Sequence, residues 1–186
     1  NMSLYSLGSF KSTVLHEFVD LGAATQEQEL IITARFAALT SCFAIAGFLA
    51  ALSLVNRMGR YWMQLVGFAA LSAIFLVQAL ISRPPTWMYV ILLGLVFFFQ
   101  NMGPNTTTFI IPAEAFPTII RATCHGISAA SGKVGALVGT LVFPGAEEQY
   151  GMRVVYLGCA VTAAIGVLVT FLLTPRNTAD LDSVGY

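Results

Sequence analysis

The chain has 186 residues, with nine Lys plus Arg against nine Asp plus Glu, so its formal net charge is zero. Charged residues make up 10% of the sequence and hydrophobic residues 57%. This composition rules out a disordered chain, which needs low hydrophobicity and high net charge. It argues against a nucleic-acid binder, which needs a basic surplus. A soluble domain would need more charges to cover its surface, so the composition predicts a membrane protein.

The N-terminal segment differs from the rest of the chain. Residues 1–10 are moderately apolar and are expected to be the end of a further helix. Residues 11–30 carry five charged side chains and are predicted to form a solvated loop. The sequence opens with Asn1 and shows no signal-peptide pattern. The numbering is therefore expected to begin inside a longer chain.

Five membrane helices are predicted after this loop. Four windows of at least 21 residues lack Asp, Glu, Lys and Arg, and a helix needs about 20 apolar residues to cross the hydrocarbon. A fifth segment contains His125 and Lys133 but is otherwise small and apolar. We therefore expect an all-α membrane protein with five helices within 31–175, at about 34–56, 61–82, 86–113, 123–144 and 154–174. Residues 176–186 are predicted to be a polar tail.

The third predicted helix is interrupted near its middle by a polar run. Pro104 has no N–H and clashes with the preceding turn, which frees backbone acceptors around Gln100. At about 100° per residue, Asn101, Asn105 and Thr108 fall on one narrow face. Neutral amides at the start of a half-helix are typical of transporter sites for anions. The alternative, given equal weight, is a kinked helix whose amides only hold it to its neighbours.

Lys133 is predicted near the centre of the fourth helix. An unpaired cation there costs roughly 2.5–3.5 kcal/mol on insertion scales, and the residue is too far from either helix end to reach the membrane surface. No carboxylate lies in any of the five predicted spans. We therefore expect Lys133 to face a cavity, a substrate, a backbone carbonyl or a residue outside this chain.

Two loops carry patterned charge. The first contains Arg57, Gly59 and Arg60, and its glycine suits a tight reversal between helices. The second contains Glu114 and is followed by Arg121. If both loops lie on one face of the membrane, Glu114 and the arginines could form an ion-pair lock that opens and closes. The alternative is that these are only the basic residues expected at the ends of membrane helices. Four Lys and Arg residues fall on each side of the membrane, so their count does not decide the orientation.

Nothing in the sequence favours an enzyme or a cofactor site. Cys42, Cys124 and Cys159 lie in or beside apolar stretches with no CxxC spacing, which is typical of small core residues. No catalytic triad, zinc-protease motif or phosphate-binding glycine loop is present in the sequence. We expect neither a bound metal nor a cofactor.

Three stretches carry a resemblance to a known family. They are residues 103–109 (GPNTTTF), 112–117 (PAEAFP) and the run 121–133 (RATCHGISAASGK). They resemble the phosphate:proton symporters, the plant and fungal inorganic phosphate transporters of the major facilitator superfamily. The loop 56–60 (NRMGR) is similar to the D-R-x-G-R loop of the superfamily, with Asn56 in place of the usual Asp.

This resemblance implies a fold and an orientation. The family has twelve membrane helices in two six-helix halves, so this chain would be the C-terminal half, with 1–10 as the tail of helix 7 and the five spans as helices 8–12. The loop 11–30 would then be extracellular and the tail 176–186 cytoplasmic. The partners implied are the lipid bilayer and an N-terminal six-helix half that this sequence lacks.

The resemblance also implies a function. The family takes up inorganic phosphate with protons, in the plasma membrane, at a site between the two halves. It places a phosphate ligand at Asn105, with Asn101, Gln100 and Thr108 as neighbours, and puts Lys133 near the coupling pathway. Alternatives are a superfamily porter for a sugar or organic ion, and a non-transporting phosphate sensor or scaffold.

Overall fold

The computed structural model describes residues 26–81 and 85–174. Within these ranges the chain forms six α-helices and no strand. They are α1 (Gln26–Met58), α2 (Arg60–Leu80), α3 (Thr86–Met102), α4 (Pro104–Ala115), α5 (Thr118–Tyr150) and α6 (Met152–Leu173). The predicted helix tail at 1–10 and the predicted tail at 176–186 lie outside the described residues.

Glycine and proline determine where the helices end. Gly59 and Gly151 both have φ of 78°, a left-handed conformation that glycine adopts without a steric penalty, and they separate α1 from α2 and α5 from α6. Pro117 forces the preceding residue out of the helical region, and Phe116 is extended at φ −103° and ψ 138°. Consecutive helices are therefore joined by one or two residues at these three points.

Five helical segments are long and apolar enough to cross a membrane, with α3 and α4 together forming one of them. These segments are Ala34–Met58, Arg60–Leu80, Trp87–Glu114, Thr118–Tyr150 and Met152–Leu173. The expectation of an all-α membrane protein with five spans is therefore confirmed. Large apolar side chains are exposed on the long helices, for example Leu52, Leu141 and Leu173 at 71%, 71% and 77%. Such a surface suits lipid and would be costly in water.

Two helices extend beyond the predicted spans. α1 begins at Gln26, inside the predicted loop 11–30, and the part of that loop before residue 26 lies outside the described residues. α5 runs from Thr118 to Tyr150, whereas the span predicted from the sequence covers 123–144. Charged residues such as Arg121 and Glu147 limit the length of an apolar segment. They do not end a helix, because both residues are good helix formers.

The helices pack in two main pairs. α2 lies along α6, and α1 lies along α3, while α5 contacts α4 and α6. The buried core includes Phe36, Phe75, Tyr89 and Tyr156, and the rings of Phe36 and Tyr89 stack with their centroids 6.3 Å apart. α5 is the least buried of the five candidate membrane segments.

Candidate functional site

The predicted interruption of the third membrane segment is a break at one residue. α3 ends at Met102 and α4 begins at Pro104, so only Gly103 lies between them, at φ −106° and ψ −101°. The Gly103 N–H still bonds to the Phe99 carbonyl at 3.0 Å. Its own carbonyl accepts from the N–H groups of Thr106 and Thr107 at 3.1 and 3.0 Å. Pro104 opens α4 because its missing N–H needs no acceptor there.

Two glycines on neighbouring helices let the backbone approach the break. A Cβ on Gly67 of α2 would lie 2.6 Å from Pro104 Cδ and 2.9 Å from Gly103 Cα. A Cβ on Gly47 of α1 would collide with the Phe98 carbonyl and lie 3.2 Å from Asn101 Cβ. Both distances from a Cβ at position 67 are shorter than real Cβ contacts, so α2 can pack against the break only with glycine at this position. Neither glycine could be predicted from the sequence, because a single glycine in an apolar run gives no distinct signal.

The amides of Asn101 and Asn105 form a chain across the break. Asn105 Nδ2 donates to Asn101 Oδ1 at 2.7 Å, and Asn101 Nδ2 donates to the Phe97 carbonyl at 2.7 Å. Asn101 is buried at 3% exposure, while Asn105 is half-buried. Asn101 therefore orients Asn105, whose amide lies at the edge of the helix bundle.

The threonine hydroxyls of the polar run donate to backbone carbonyls at and beside the break. Thr106 Oγ1 donates to the Asn101 carbonyl at 2.7 Å, which satisfies an acceptor freed by the break. Thr108 Oγ1 donates to the Pro104 carbonyl at 2.6 Å and is exposed. Its oxygen can still accept a hydrogen bond.

Gln100, the residue before Asn101 on α3, is buried. Its side chain is 1% exposed and follows Leu93 and Val96 at the helical spacings of seven and four residues, both of which are also buried. Gln100 Oε1 has no hydrogen-bond partner among the described protein atoms. The structure therefore brings Asn101 and Asn105 together, and it places Gln100 in the interior next to them.

Lys133 lies near the middle of α5 (Thr118–Tyr150). The rings of Phe109 in α4 and His125 in α5 are 6.0 Å apart. Lys133 follows His125 by eight residues, about 12 Å along α5 at 1.5 Å per residue. Lys133 is exposed in the structure.

The charged loops form one ion pair. Arg60, at the start of α2, donates from Nη2 and Nε to Glu114 Oε1 at 2.7 and 3.1 Å. Arg121 instead donates to the Phe116 carbonyl at 3.0 Å. Arg57 is exposed beside Gly59, and neither it nor Arg121 pairs with an acidic residue of the described ranges. The contact Arg60–Glu114 joins the end of α4 to the start of α2.

No three His, Cys, Asp or Glu residues in the described ranges are grouped closely enough to hold a metal ion. The polar groups at the break are neutral amides and hydroxyls, with a cation on the adjacent helix. Such groups can donate hydrogen bonds to an anion or to a polar neutral solute.

Comparison with known proteins gives a family and several relatives. The sequence model described as "Sugar (and other) transporter" matches residues 19–179. The chain is 35% identical to inorganic phosphate transporter 1-1 of Oryza sativa subsp. japonica, over 84% of this chain and 33% of that protein. It is 38% identical to probable inorganic phosphate transporter 1-9 of Arabidopsis thaliana, over 74% of this chain and 29% of that protein.

A third relative is low affinity inorganic phosphate transporter 4 of Lotus japonicus, which is 35% identical over 84% of this chain and 31% of that protein. The chain thus spans about a third of the length of these relatives. Because the family model covers most of the chain, and because the fold is a set of apolar helices with a broken one among them, the chain belongs to the sugar (and other) transporter family of the major facilitator superfamily and is a multi-pass membrane protein.

Proposed function

We propose that the full-length protein transports inorganic phosphate together with protons, by alternating access, in the plasma membrane. The relatives that match over most of the chain are named as inorganic phosphate transporters, which supports phosphate as the substrate. Since the chain spans about a third of those relatives, the rest of the site is expected on an N-terminal six-helix half. In this proposal the described residues supply one wall of the site.

The observation that carries the proposal is the amide chain at the break. Asn105 is held by Asn101 at 2.7 Å and stands at the first turn of α4, which has no side-chain cap. Pro104 has no N–H, and the N–H groups of Thr106 and Thr107 bond to the Gly103 carbonyl, so the Asn105 amide and the positive end of the helix dipole are what favour an anion at that position. Neutral donors bind phosphate without the deep Coulomb well of a salt bridge, so the ion can also be released. Thr108 and Gln100 are proposed neighbours of the bound ion.

Lys133 supplies the only charge that we assign to this wall. It lies near the middle of α5, and its exposure leaves the ammonium group accessible from outside the described helices. A cation at this depth is costly unless an anion or carboxylate faces it. We assign Lys133 to the coupling pathway, where the arrival of phosphate or a change in protonation would alter its environment.

Gating is assigned to the two loops. The ion pair between Arg60 and Glu114 holds α2 against α4 at the face of the bundle where Gly59 allows the chain to reverse. Rocking of one half against the other changes what these loops meet, and in this proposal the pair is exchanged for contacts with the other half in one of the two states. Arg57 and Arg121 are available on the same face to exchange with Arg60.

The test is uptake of labelled phosphate by the full-length protein in cells that lack their own phosphate transporter. Uptake should rise at acidic pH and fall when a protonophore is added. Asn105→Ala should raise KM roughly ten- to hundredfold, since a hydrogen bond to a charged group contributes about 1.5–3 kcal/mol. Lys133→Ala should lower uptake more than Lys133→Arg.

A matched control is Thr162→Ala, which removes an exposed hydroxyl that bonds to the Gly158 carbonyl of its own helix α6. It should leave uptake unchanged. If Asn105→Ala and Lys133→Ala reached the membrane and left uptake unchanged, the site assignment would be wrong. If sodium drove the uptake, the phosphate site would remain as proposed, but protons would not be the coupled ion.

The family description favours a second candidate, a porter for a sugar or organic ion. Amide side chains serve sugar hydroxyls as well as phosphate oxygens. Competition between labelled phosphate and unlabelled sugars separates the two functions. Uptake of neither class by a protein shown to reach the membrane would favour a sensor or scaffold.

A further inference from the structure

His125 is a titratable side chain of α5 that has no part in the phosphate site, the coupling pathway or the gating loops described above. It lies two turns into the helix and is half-buried. Its Nδ1 atom is buried and has no hydrogen-bond partner among the described protein atoms. Imidazole is the side chain whose charge ordinarily changes between about pH 5 and 8. The charge of α5 can therefore respond to pH at this position.

The ring of His125 contacts the half-helix that carries the proposed phosphate ligand. Its centroid lies 6.0 Å from that of Phe109 in α4, and the two ring planes are tilted by 45°. Phe109 is four residues after Asn105, so their side chains are neighbours on α4. A cation within about 6 Å of an aromatic centroid is attracted to the ring. The contact between α4 and α5 therefore gains an electrostatic attraction when the imidazole is protonated.

No acidic side chain of the described ranges forms an ion pair with His125. α5 packs against α4 and α6, and the one charged group of α4, Glu114, is bonded to Arg60. On α5, Cys124 precedes His125, Arg121 lies one turn earlier and donates to a backbone carbonyl, and Lys133 lies two turns later. The titratable groups of α6 are all in its first half, near Gly151 and the far end of α5; they are Arg153, Tyr156 and Cys159. Phe109 is thus the group on α4 that favours the protonated form of His125.

We propose that His125 positions the phosphate ligand of α4 according to its protonation state. The ring takes one proton from water and later returns it to water, and it forms no bond to phosphate. The imidazolium is held against Phe109, which keeps Asn105 in place and adds a positive charge on the helix beside α4. When the ring is neutral that attraction is lost, and phosphate is held less tightly. This inference rests on the proposed transport of phosphate with protons, and it assigns part of the effect of the proton to one residue.

The experiment is exchange of labelled phosphate by the full-length protein in proteoliposomes with the same pH on both sides, so that no proton gradient drives the flux. The KM for phosphate is measured between about pH 5 and 8. It should rise several-fold with pH in the unaltered protein, and His125→Gln should remove most of that rise because an amide does not titrate. The ionisation of phosphate itself is the same for every variant and cancels in the comparison. Thr162→Ala should follow the unaltered protein, because Thr162 is exposed on α6 and bonds to its own helix.

A second variant tests the contact itself. Phe109 is 50% exposed, and Phe109→Leu removes its aromatic face. The midpoint of the KM profile should then fall by about half a pH unit, which corresponds to the usual strength of a cation–π contact at an exposed site. Phe109→Tyr retains an aromatic ring and should retain the midpoint.

The outcomes separate this inference from the proposed function. A KM profile that His125→Gln leaves unchanged, or a midpoint that Phe109→Leu does not move, would overturn the role of His125 while phosphate transport stands. If the unaltered protein exchanged no phosphate at any pH, the proposed function would fail, and the role of His125 with it. If His125→Gln does not fold, the midpoint of Phe109→Leu decides.

Discussion

Gly67 is the residue where the smallest change is expected to disturb the helix break. In Gly67→Ala the new methyl group would meet Pro104 Cδ at 2.6 Å and Gly103 Cα at 2.9 Å, and neither atom belongs to a flexible side chain. Overpacking of this kind costs about 1–3 kcal/mol. We expect a lower melting temperature in detergent and reduced uptake by the full-length protein.

Gly158 on α6 provides the control for this prediction. A Cβ at Gly158 meets nothing within 4 Å, and the residue lies inside a helix. Gly158→Ala should therefore leave the melting temperature unchanged or raise it, because alanine is a better helix former by up to about 1 kcal/mol. Equal melting temperatures for the two variants would show that α2 does not pack against the break as described.

Asn101 is expected to act through Asn105. It accepts the Asn105 amide at 2.7 Å while its own Nδ2 is bonded to the Phe97 carbonyl. Asn101→Ala leaves Asn105 in place but without its orienting bond, whose net contribution is about 0.5–1.5 kcal/mol. Phosphate uptake should show a KM raised roughly two- to tenfold. A change confined to the maximal rate would contradict a positioning role.

Sequence patterns identify the side chains of the break but not their contacts. The missing N–H of Pro104 is a property of the residue itself, so the interruption could be placed from the sequence alone. Gln100 and Asn101 are both buried, although adjacent residues point about 100° apart around a helix. The side of a helix that is covered depends on its neighbours, and a single sequence does not specify them.

At the scale of helices, the contact between α2 and α4 can be tested by a double-mutant cycle. Arg60 and Glu114 are paired at 2.7 Å with 31% and 32% of their side chains exposed. Half-exposed ion pairs contribute about 0.2–1 kcal/mol. We expect a coupling of that size between Arg60→Gln and Glu114→Gln in the free energy of unfolding, and a smaller one in high salt.

A coupling of zero at low salt would mean that the pair does not form in the full-length protein. A much larger coupling would mean that a part of the full-length protein outside this chain buries the pair. Arg57→Gln combined with Glu114→Gln is the control, because Arg57 is exposed and makes no ion pair with a described acidic residue.

Helix number and helix length differ in how far the sequence determines them. Charge-free windows indicate four of the five spans because ionised groups are excluded from the hydrocarbon, and the fifth, which contains Lys133, is indicated by its small and apolar residues. Apolar composition does not locate the helix ends, since α5 continues through Arg121 at one end and Glu147 at the other. Outside the hydrocarbon a helix tolerates charge, and α5 ends only at Gly151, where φ is 78°.

At the scale of the whole molecule, five spans place successive connections on alternate sides of the membrane. The connections at Gly59 and at Phe116–Pro117 lie on one side, joined by the pair Arg60–Glu114. Gly151 lies on the other side. The positive charges do not decide which side is cytoplasmic, so the orientation remains a prediction from the family resemblance, with Gly59 inside.

Cysteine labelling of intact cells tests this orientation. Asn56 near the end of α1 and Gln149 near the end of α5 are both exposed, and each can be changed to cysteine in a full-length protein whose other cysteines have been replaced. A membrane-impermeant thiol reagent should label Gln149→Cys in intact cells and Asn56→Cys only after permeabilisation. The reverse pattern would show that the protein has the opposite orientation in the membrane, with the ion pair on the extracellular side. Labelling of both positions from one side would contradict an odd number of crossings between them, and with it the α2–α5 arrangement on which the site depends.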